Sequence, residues 1–332
     1  MSYYDLHVHL LGSIPPHLVD ELAQSPHLLP IREKLSPSQR EFLEATPYGR
    51  NLLKLSESPS RFQGKLPSQA LTEYTSLPEF LAAYLFTSML IQTRQDFQRL
   101  VKGVVEQLEH HEITYAELTI SPSLYAPRVL PLDTLLSELK SVTIQTSGQV
   151  QWILDPIRNR GPQHARDLLQ SICDIDPTVF CGVNLGGDES SHPLSDFSEY
   201  YNLAISRDLG TTVHAGENFF VHKIQEALEL PIQRIGHGLS VCQDSELLSQ
   251  LRRRNIAIEC CPSSNIRTGL YPSVLTHPIR KMVDAGLTVT INSDDPFFFQ
   301  TCAREEFQLL AETFSHSELD EIRTNGKKCA FR

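Results

Sequence analysis

Residues Thr211–Gly238 read TTVHAGENFFVHKIQEALELPIQRIGHG. Thr211–Ala215 is a short β-branched run, Lys223–Leu230 carries helical spacing, and Ile232–Gly236 is a second short strand. A strand, a helix and a strand in succession call for a parallel pair joined by a crossover helix. Each strand hands over to its loop near a histidine, His214 in TVHAGE and His237 in RIGHG.

The alternation extends both ways. Upstream lie strands Ile113–Ile120, Val150–Leu154 and Val179–Leu185, followed by helices Leu132–Thr143, Pro162–Ile175 and Leu194–Asp208. Downstream come helix Asp244–Arg254, strand Ile256–Cys260, helix Pro278–Ala285, strand Leu287–Asn292 and a helix from about Ala303 to Phe314. Tyr3–His9, YYDLHVH, supplies the first strand. Eight strands, each followed by helix, predict an α/β fold, a (β/α)8 TIM barrel. Leu77–His111 reads as one long helix, with Phe80, Tyr84, Phe97, Leu100, Val104 and Leu108 at helical spacing. Between first strand and helix, Pro15, Pro16, Pro26, Pro30, Pro37, Pro47, Pro59 and Pro67 break the chain into short pieces. This stretch, about 12–76, is expected to be a helical lid inserted in a single barrel domain spanning 1–332. The final NGKKCAFR shows no evident helical finish.

Composition narrows the function. The 332 residues are 40% hydrophobic and 21% charged, an ordinary globular balance. The formal charge of −11 argues against nucleic acid and anionic membranes as partners. There is no basic, apolar leader and no apolar run of membrane-spanning length, so a cytoplasmic location is expected. Seven scattered cysteines without a CxxC fit reduced thiols. Cys260 and Cys261 read as small buried hydrophobes.

The chemistry gathers at strand ends. His7 and His9 lie two apart, so one strand points both imidazoles to the same face. His214 ends strand five, His237 ends strand six, and Asp294 in NSDDP follows strand eight. Active sites of this fold lie at the C-terminal ends of the strands. His7, His9, His214 and Asp294 offer three neutral nitrogens and one carboxylate, which suits one Zn²⁺ per chain with a position left for water. A second metal would call for a bridging Lys or Glu on strand four, and FCGVNLGG has neither. Glu217, three residues beyond His214, is a candidate general acid, and His237 a candidate base. Asp295 can contact a ring nitrogen, and Gly186-Gly187 let backbone approach a flat substrate. Each also has a plain structural reading: Glu217 against a helix dipole, His237 packed in a turn, Asp295 as an N-cap, the glycines as turn residues. His17, His27, His192, His222, His277 and His316 read as surface or structural.

Taken together, HVHLLGS, LGGDE, HAGE, IGHG, CPSSN and NSDDP resemble the adenosine deaminase family of the amidohydrolase superfamily, in the family's order from Tyr3 to about Arg304. The resemblance implies a purine nucleoside substrate and zinc on His7, His9, His214 and Asp294. It implies that Glu217 protonates purine N1 and that His237 orients or deprotonates the water. Asp295 would meet N7, and the Gly187 N–H would meet N3. Water then replaces the 6-amino group, which leaves as ammonia.

Leu11 departs from that pattern, because relatives acting on adenosine carry Asp there to receive the 5′-OH, and adenine-specific ones carry Glu. Leucine accepts no hydrogen bond, so a 5′-modified adenosine such as 6-aminodeoxyfutalosine is expected alongside adenosine, with N6-methyl-AMP and adenine as alternatives. Arg128, Arg158 and Arg160, on loops after strands two and three, are candidate partners for an anionic 5′ arm. Two other classes compete: hydrolysis of an amide, ester or lactone, and nucleoside binding without catalysis. Glu217 in HAGE weighs against the former, and the full catalytic set against the latter. Oligomeric state is not legible.

Overall fold

The computed structural model describes residues 2–24, 35–56 and 65–331. Eight parallel strands follow one another around the sheet in chain order. They are β1 Tyr3–His9, β2 Ile113–Ile120, β3 Val150–Leu154, β4 Gly182–Val183, β5 Gly210–Ala215, β6 Arg234–His237, β7 Ala257–Cys260 and β8 Val289–Ile291. Helices connect them, as the alternation predicts for a (β/α)8 barrel. The apolar core lies between the outer strand faces and these helices, where Leu118, Trp152, Val213, Ile235 and Ile258 are buried. Alternate residues face inward, and there the layer is ionic: Glu117, Arg234 and Glu259 are at most 1% exposed.

The ring closes between β8 and β1 over a short contact. Val8 and Asp294 form a single parallel bridge. The His9 N–H donates to the Asp294 carbonyl at 2.7 Å, and the Asp294 N–H donates to the His7 carbonyl at 2.9 Å. Below it, side chains complete the seam. The Leu6 N–H donates to Asn292 Oδ1 at 2.9 Å, and the Ser293 N–H to Asp5 Oδ1 at 3.2 Å.

Several boundaries differ from expectation. Leu77–His111 is two helices, Leu77–Leu90 and Arg94–His110. Thr93 starts the second with a capping box, its hydroxyl accepting the Asp96 N–H while the Asp96 carboxylate accepts the Thr93 N–H. The apolar rhythm runs through the break and conceals it. β4 is only two residues long, and the chain does finish in a helix, His316–Cys329, capped by Ser315 and Glu318. That segment has few apolar residues, so periodicity alone misses it. Within the stretch expected as a lid, helices Pro16–Ala23, Pro37–Glu44, Pro47–Ser56 and Pro67–Ala70 each begin with proline, whose fixed φ suits a first turn. Residues 25–34 and 57–64 of that stretch, with Pro26, Pro30 and Pro59, lie outside the described residues. Among the described residues no helix is long and apolar enough to cross a membrane.

Candidate active site

The strand ends bring the expected ligands together. Donor atoms of His7, His9 and His214 lie within 4.8 Å of one another. The Asp294 Oδ1 stands 3.3 Å from His9 Nε2 and 3.7 Å from His7 Nε2. Two of the imidazoles are held by partners that leave one ring nitrogen toward the cluster. His7 Nδ1 meets Glu259 Oε2 at 2.7 Å, and His214 Nδ1 meets Asn184 Oδ1 at 3.1 Å. Both partners present acceptor oxygens, so Nδ1 carries the proton and Nε2 keeps its lone pair. His7 Nε2 is buried without a hydrogen-bond partner, as a metal-ligating nitrogen would be. Gly236 makes room for this ring: a Cβ there would stand 2.7 Å from His7 Cε1. The residues thus fit a divalent cation.

Electrostatics agree. Burial and the neighbouring imidazoles His7, His237 and His9 push His214 well below its ordinary value, keeping it neutral. Burial alone would raise Asp294, but the His9 hydrogen bond and the nearby imidazole charges hold it well below the usual carboxylate range. Burial would likewise lower His9, yet Asp295 and Asp294 hold it up at about 9. A cation among these atoms would take the place of that proton.

His237 stands between the candidate acid Glu217 and the expected metal ligand Asp294. Its Nε2 is 3.9 Å from both Glu217 Oε2 and Asp294 Oδ2. Burial, with Asp294 and Glu189 adding to it, raises the Glu217 carboxyl. Burial and the Asp294 charge raise Asp295 well above its ordinary value, and its Oδ1 is buried without a partner. His237 and Asp294 both have left-handed backbones, with φ of 62° and 61°. Such strain costs about 1–3 kcal/mol per residue and collects at functional sites.

Around them sits a shell that the sequence reading did not assign. Glu189, 1% exposed, accepts the N–H groups of Gly216 and Glu217 at 2.8 Å each, so one carboxylate clamps the HAGE loop. Asn265 lies 3.3 Å from His237 Nδ1 and 3.0 Å from His277 Nε2. His277 is therefore structural, as expected, though buried rather than on the surface. Asp155 accepts from Ile157 and Gly186, ordering the loop that carries Gly187. Glu189 and Asn265 stand inside the motifs LGGDE and CPSSN, and those motifs were the signal available.

The three arginines fare differently from expectation. Arg158 is fully buried and donates to the carbonyls of His214 and Leu185 and, at 3.5 Å, of Glu189. It braces strand ends instead of facing a ligand. Arg128 donates to the carbonyls of Ile91, Ser88 and Leu124. Arg160 is exposed, with one bond of 3.3 Å to the Ser123 carbonyl. Gly187 is exposed with φ 107°, a conformation that favours glycine. Leu11 is 1% exposed in the turn Leu11–Ser13. That turn lies against Asp295, whose Oδ1 a Cβ on Gly12 would strike.

Comparison with known proteins agrees with this geometry. A family model described as adenosine deaminase matches residues 54–332. An aminodeoxyfutalosine deaminase of Streptomyces coelicolor is 30% identical over 341 residues, covering 98% of this chain and 79% of that protein. An adenine deaminase of Rhizobium leguminosarum bv. trifolii is 30% identical over 260 residues, covering 76% of this chain and 80% of its own length. The crystal structure of an adenine deaminase from Arthrobacter aurescens superposes with a TM-score of 0.81 at 25% identity, covering 99% of this chain and 94% of the other.

Proposed function

The chain belongs to the adenosine deaminase family, and from that premise we propose a zinc-dependent deaminase of a 5′-modified adenine nucleoside, with 6-aminodeoxyfutalosine the leading substrate. The coarser part is established: this is a hydrolase acting on C–N bonds, a deaminase of adenine-type substrates.

His7, His9, His214 and Asp294 would hold the metal. A divalent zinc supplies Lewis acidity, which makes water a nucleophile near neutral pH. The remaining groups divide the proton work. Glu217, half-buried and raised, carries the proton that purine N1 takes up as water adds at C6. His237, beside both Glu217 and Asp294, orients or deprotonates that water. Purine N7 is only an acceptor. Burial and the Asp294 charge push Asp295 well above its ordinary value, and in its protonated form Asp295 would be a donor for it. The Gly187 N–H would meet N3. The exocyclic amine then leaves as ammonia, giving the 6-oxo ring.

The choice of substrate rests on Leu11. Its turn abuts Asp295, and its buried apolar side chain gives a free 5′-OH no acceptor. The long match to an aminodeoxyfutalosine deaminase supports a large 5′ substituent. Of the three arginines, Arg160 alone is left to meet an anionic arm, since Arg128 and Arg158 are committed to carbonyls. Adenine is the second reading, favoured by the Arthrobacter superposition. The test is ammonia release from 6-aminodeoxyfutalosine, 5′-deoxyadenosine, 5′-methylthioadenosine, adenosine, N6-methyl-AMP and adenine, with Leu11→Asp alongside. The highest kcat/KM is expected for a 5′-modified nucleoside. Adenosine or adenine as the best substrate sinks this reading.

A further inference from the structure

A line of buried charges runs down the barrel from His7, and its bearing on function rests on the proposal that His7 is a metal ligand. Glu259, which meets His7 at 2.7 Å, meets Arg234 Nε at 2.6 Å through its other oxygen. Arg234 Nη2 donates to Glu117 Oε2 at 2.5 Å. Glu117 Oε1 in turn accepts the backbone N–H of Phe331 at 2.6 Å.

The end of the last helix and the residues after it close this line from below. The Phe331 carbonyl accepts the Tyr115 hydroxyl at 2.6 Å, and the Cys329 carbonyl accepts Arg234 Nη1 at 2.9 Å. The Phe331 ring lies over the Arg234 guanidinium, 3.5 Å from ring centroid to Cζ. Its socket is built from absent side chains: a Cβ on Gly182 or Gly210 would stand 2.6 or 2.2 Å from the ring. Both glycines open their strands, so the socket lies at the end of the barrel away from the histidines.

A guanidinium buried between two carboxylates holds one geometry only while all its partners stay in place. The Phe331 ring covers one face of this guanidinium, which is 1% exposed, and a cation–π contact gains from desolvation. Metal affinity is sensitive to the partner that orients a ligating histidine. We propose that Phe331 is a positioning residue for the metal centre, holding His7 in its metal-binding orientation through Arg234 and Glu259.

The experiment is zinc affinity of the full chain by competition with a chelator, with folding followed by circular dichroism. Glu259→Gln is expected to weaken zinc about 10- to 100-fold. Phe331→Leu, which fills the socket without a ring face, is expected to weaken it about tenfold, the low end of that range. Because Phe331 acts through Glu259, the double variant should bind no more weakly than Glu259→Gln. Should Phe331→Leu fail to fold, Tyr115→Phe, which removes the hydroxyl that lies 2.6 Å from the Phe331 carbonyl and 3.1 Å from Glu117 Oε1, is read in its place with the same direction expected. Wild-type affinity in the folded variant, or losses that multiply in the double variant, overturns the proposal. A wild-type chain that takes up no zinc overturns the metal reading and this inference with it.

Discussion

The carboxylate of Glu189 accepts the backbone N–H of Glu217 at 2.8 Å, so one buried acid holds the loop that carries another, the proposed general acid. Its other oxygen takes the Gly216 N–H at 2.8 Å, and the Asn218 N–H approaches at 3.4 Å. Glu189→Ala would leave these donors without their acceptor and let the loop move. A displacement of about 1 Å at a reacting group can cost about 10²-fold in rate. The expected outcome is a fall in kcat of that order with the metal retained. Rate and metal content measured on the same preparation check it, and an unchanged kcat would release Glu189 from any positioning role.

The metal cluster makes a sharper statement. The expected content is about one Zn²⁺ per chain, and His214→Ala should lose nearly all of it, since a site of this kind needs its protein ligands. Elemental analysis after dialysis reads the result. Full zinc and activity in that variant would remove His214 from the site.

Glu217→Gln preserves shape but has no carboxylic proton to give. Loss of general acid catalysis costs about 10²–10⁴-fold, and kcat should fall within that range while zinc stays bound. In the proposed mechanism Glu217 works protonated, and burial raises its pKa. Activity should therefore decline as pH rises through that raised value, and the alkaline limb assigned to Glu217 should vanish in Glu217→Gln. A limb that persists unchanged assigns the proton to another group.

Glu306 offers a test of stability. It is fully buried, bonded to the Ser263 N–H and the Thr301 hydroxyl, and burial lifts its pKa from 4.5 to about 7. Between those values the folded chain holds a proton that the unfolded chain has lost. Its contribution is present below about pH 4.5 and lost as pH rises through about 7, with a size on the order of 3 kcal/mol. Glu306→Gln, which stays neutral, should lose that part of the slope in denaturant titrations across the window. An identical slope in both proteins argues against a neutral Glu306.

Much of this was legible beforehand, for physical reasons. β2 and β3 carry strong β-branched or apolar runs, and their limits match the sequence reading residue for residue. His7, His9, His214 and Asp294 stand out as candidates in the sequence because a barrel places its chemistry at strand ends, and the structure brings the four together. Glu259 and Asn184 escaped because their value lies in contacts with residues remote in the chain. Glu259 reaches His7 across 252 residues of chain, and no local pattern announces that. Arg158 misled for the converse reason: a loop arginine looks like a ligand partner until its carbonyl acceptors are seen. The closing helix His316–Cys329 hid because its capping box Ser315–Glu318 precedes a mostly polar segment.

The seam between β1 and β8 has a kinetic consequence. Leu6 and Asn292, joined across it, are 286 residues apart in the chain. Contacts so remote in sequence are slow to form, because the entropy of closing a long loop comes before any gain. His7 and His9 come from one lip of that seam and Asp294 from the other. A chain still short of ring closure therefore has only part of the cluster, so metal capture should follow the slowest step of folding. Once bound, the ion would act as a clasp on the ring, favouring the closed state by mass action and slowing the reopening through which it could leave.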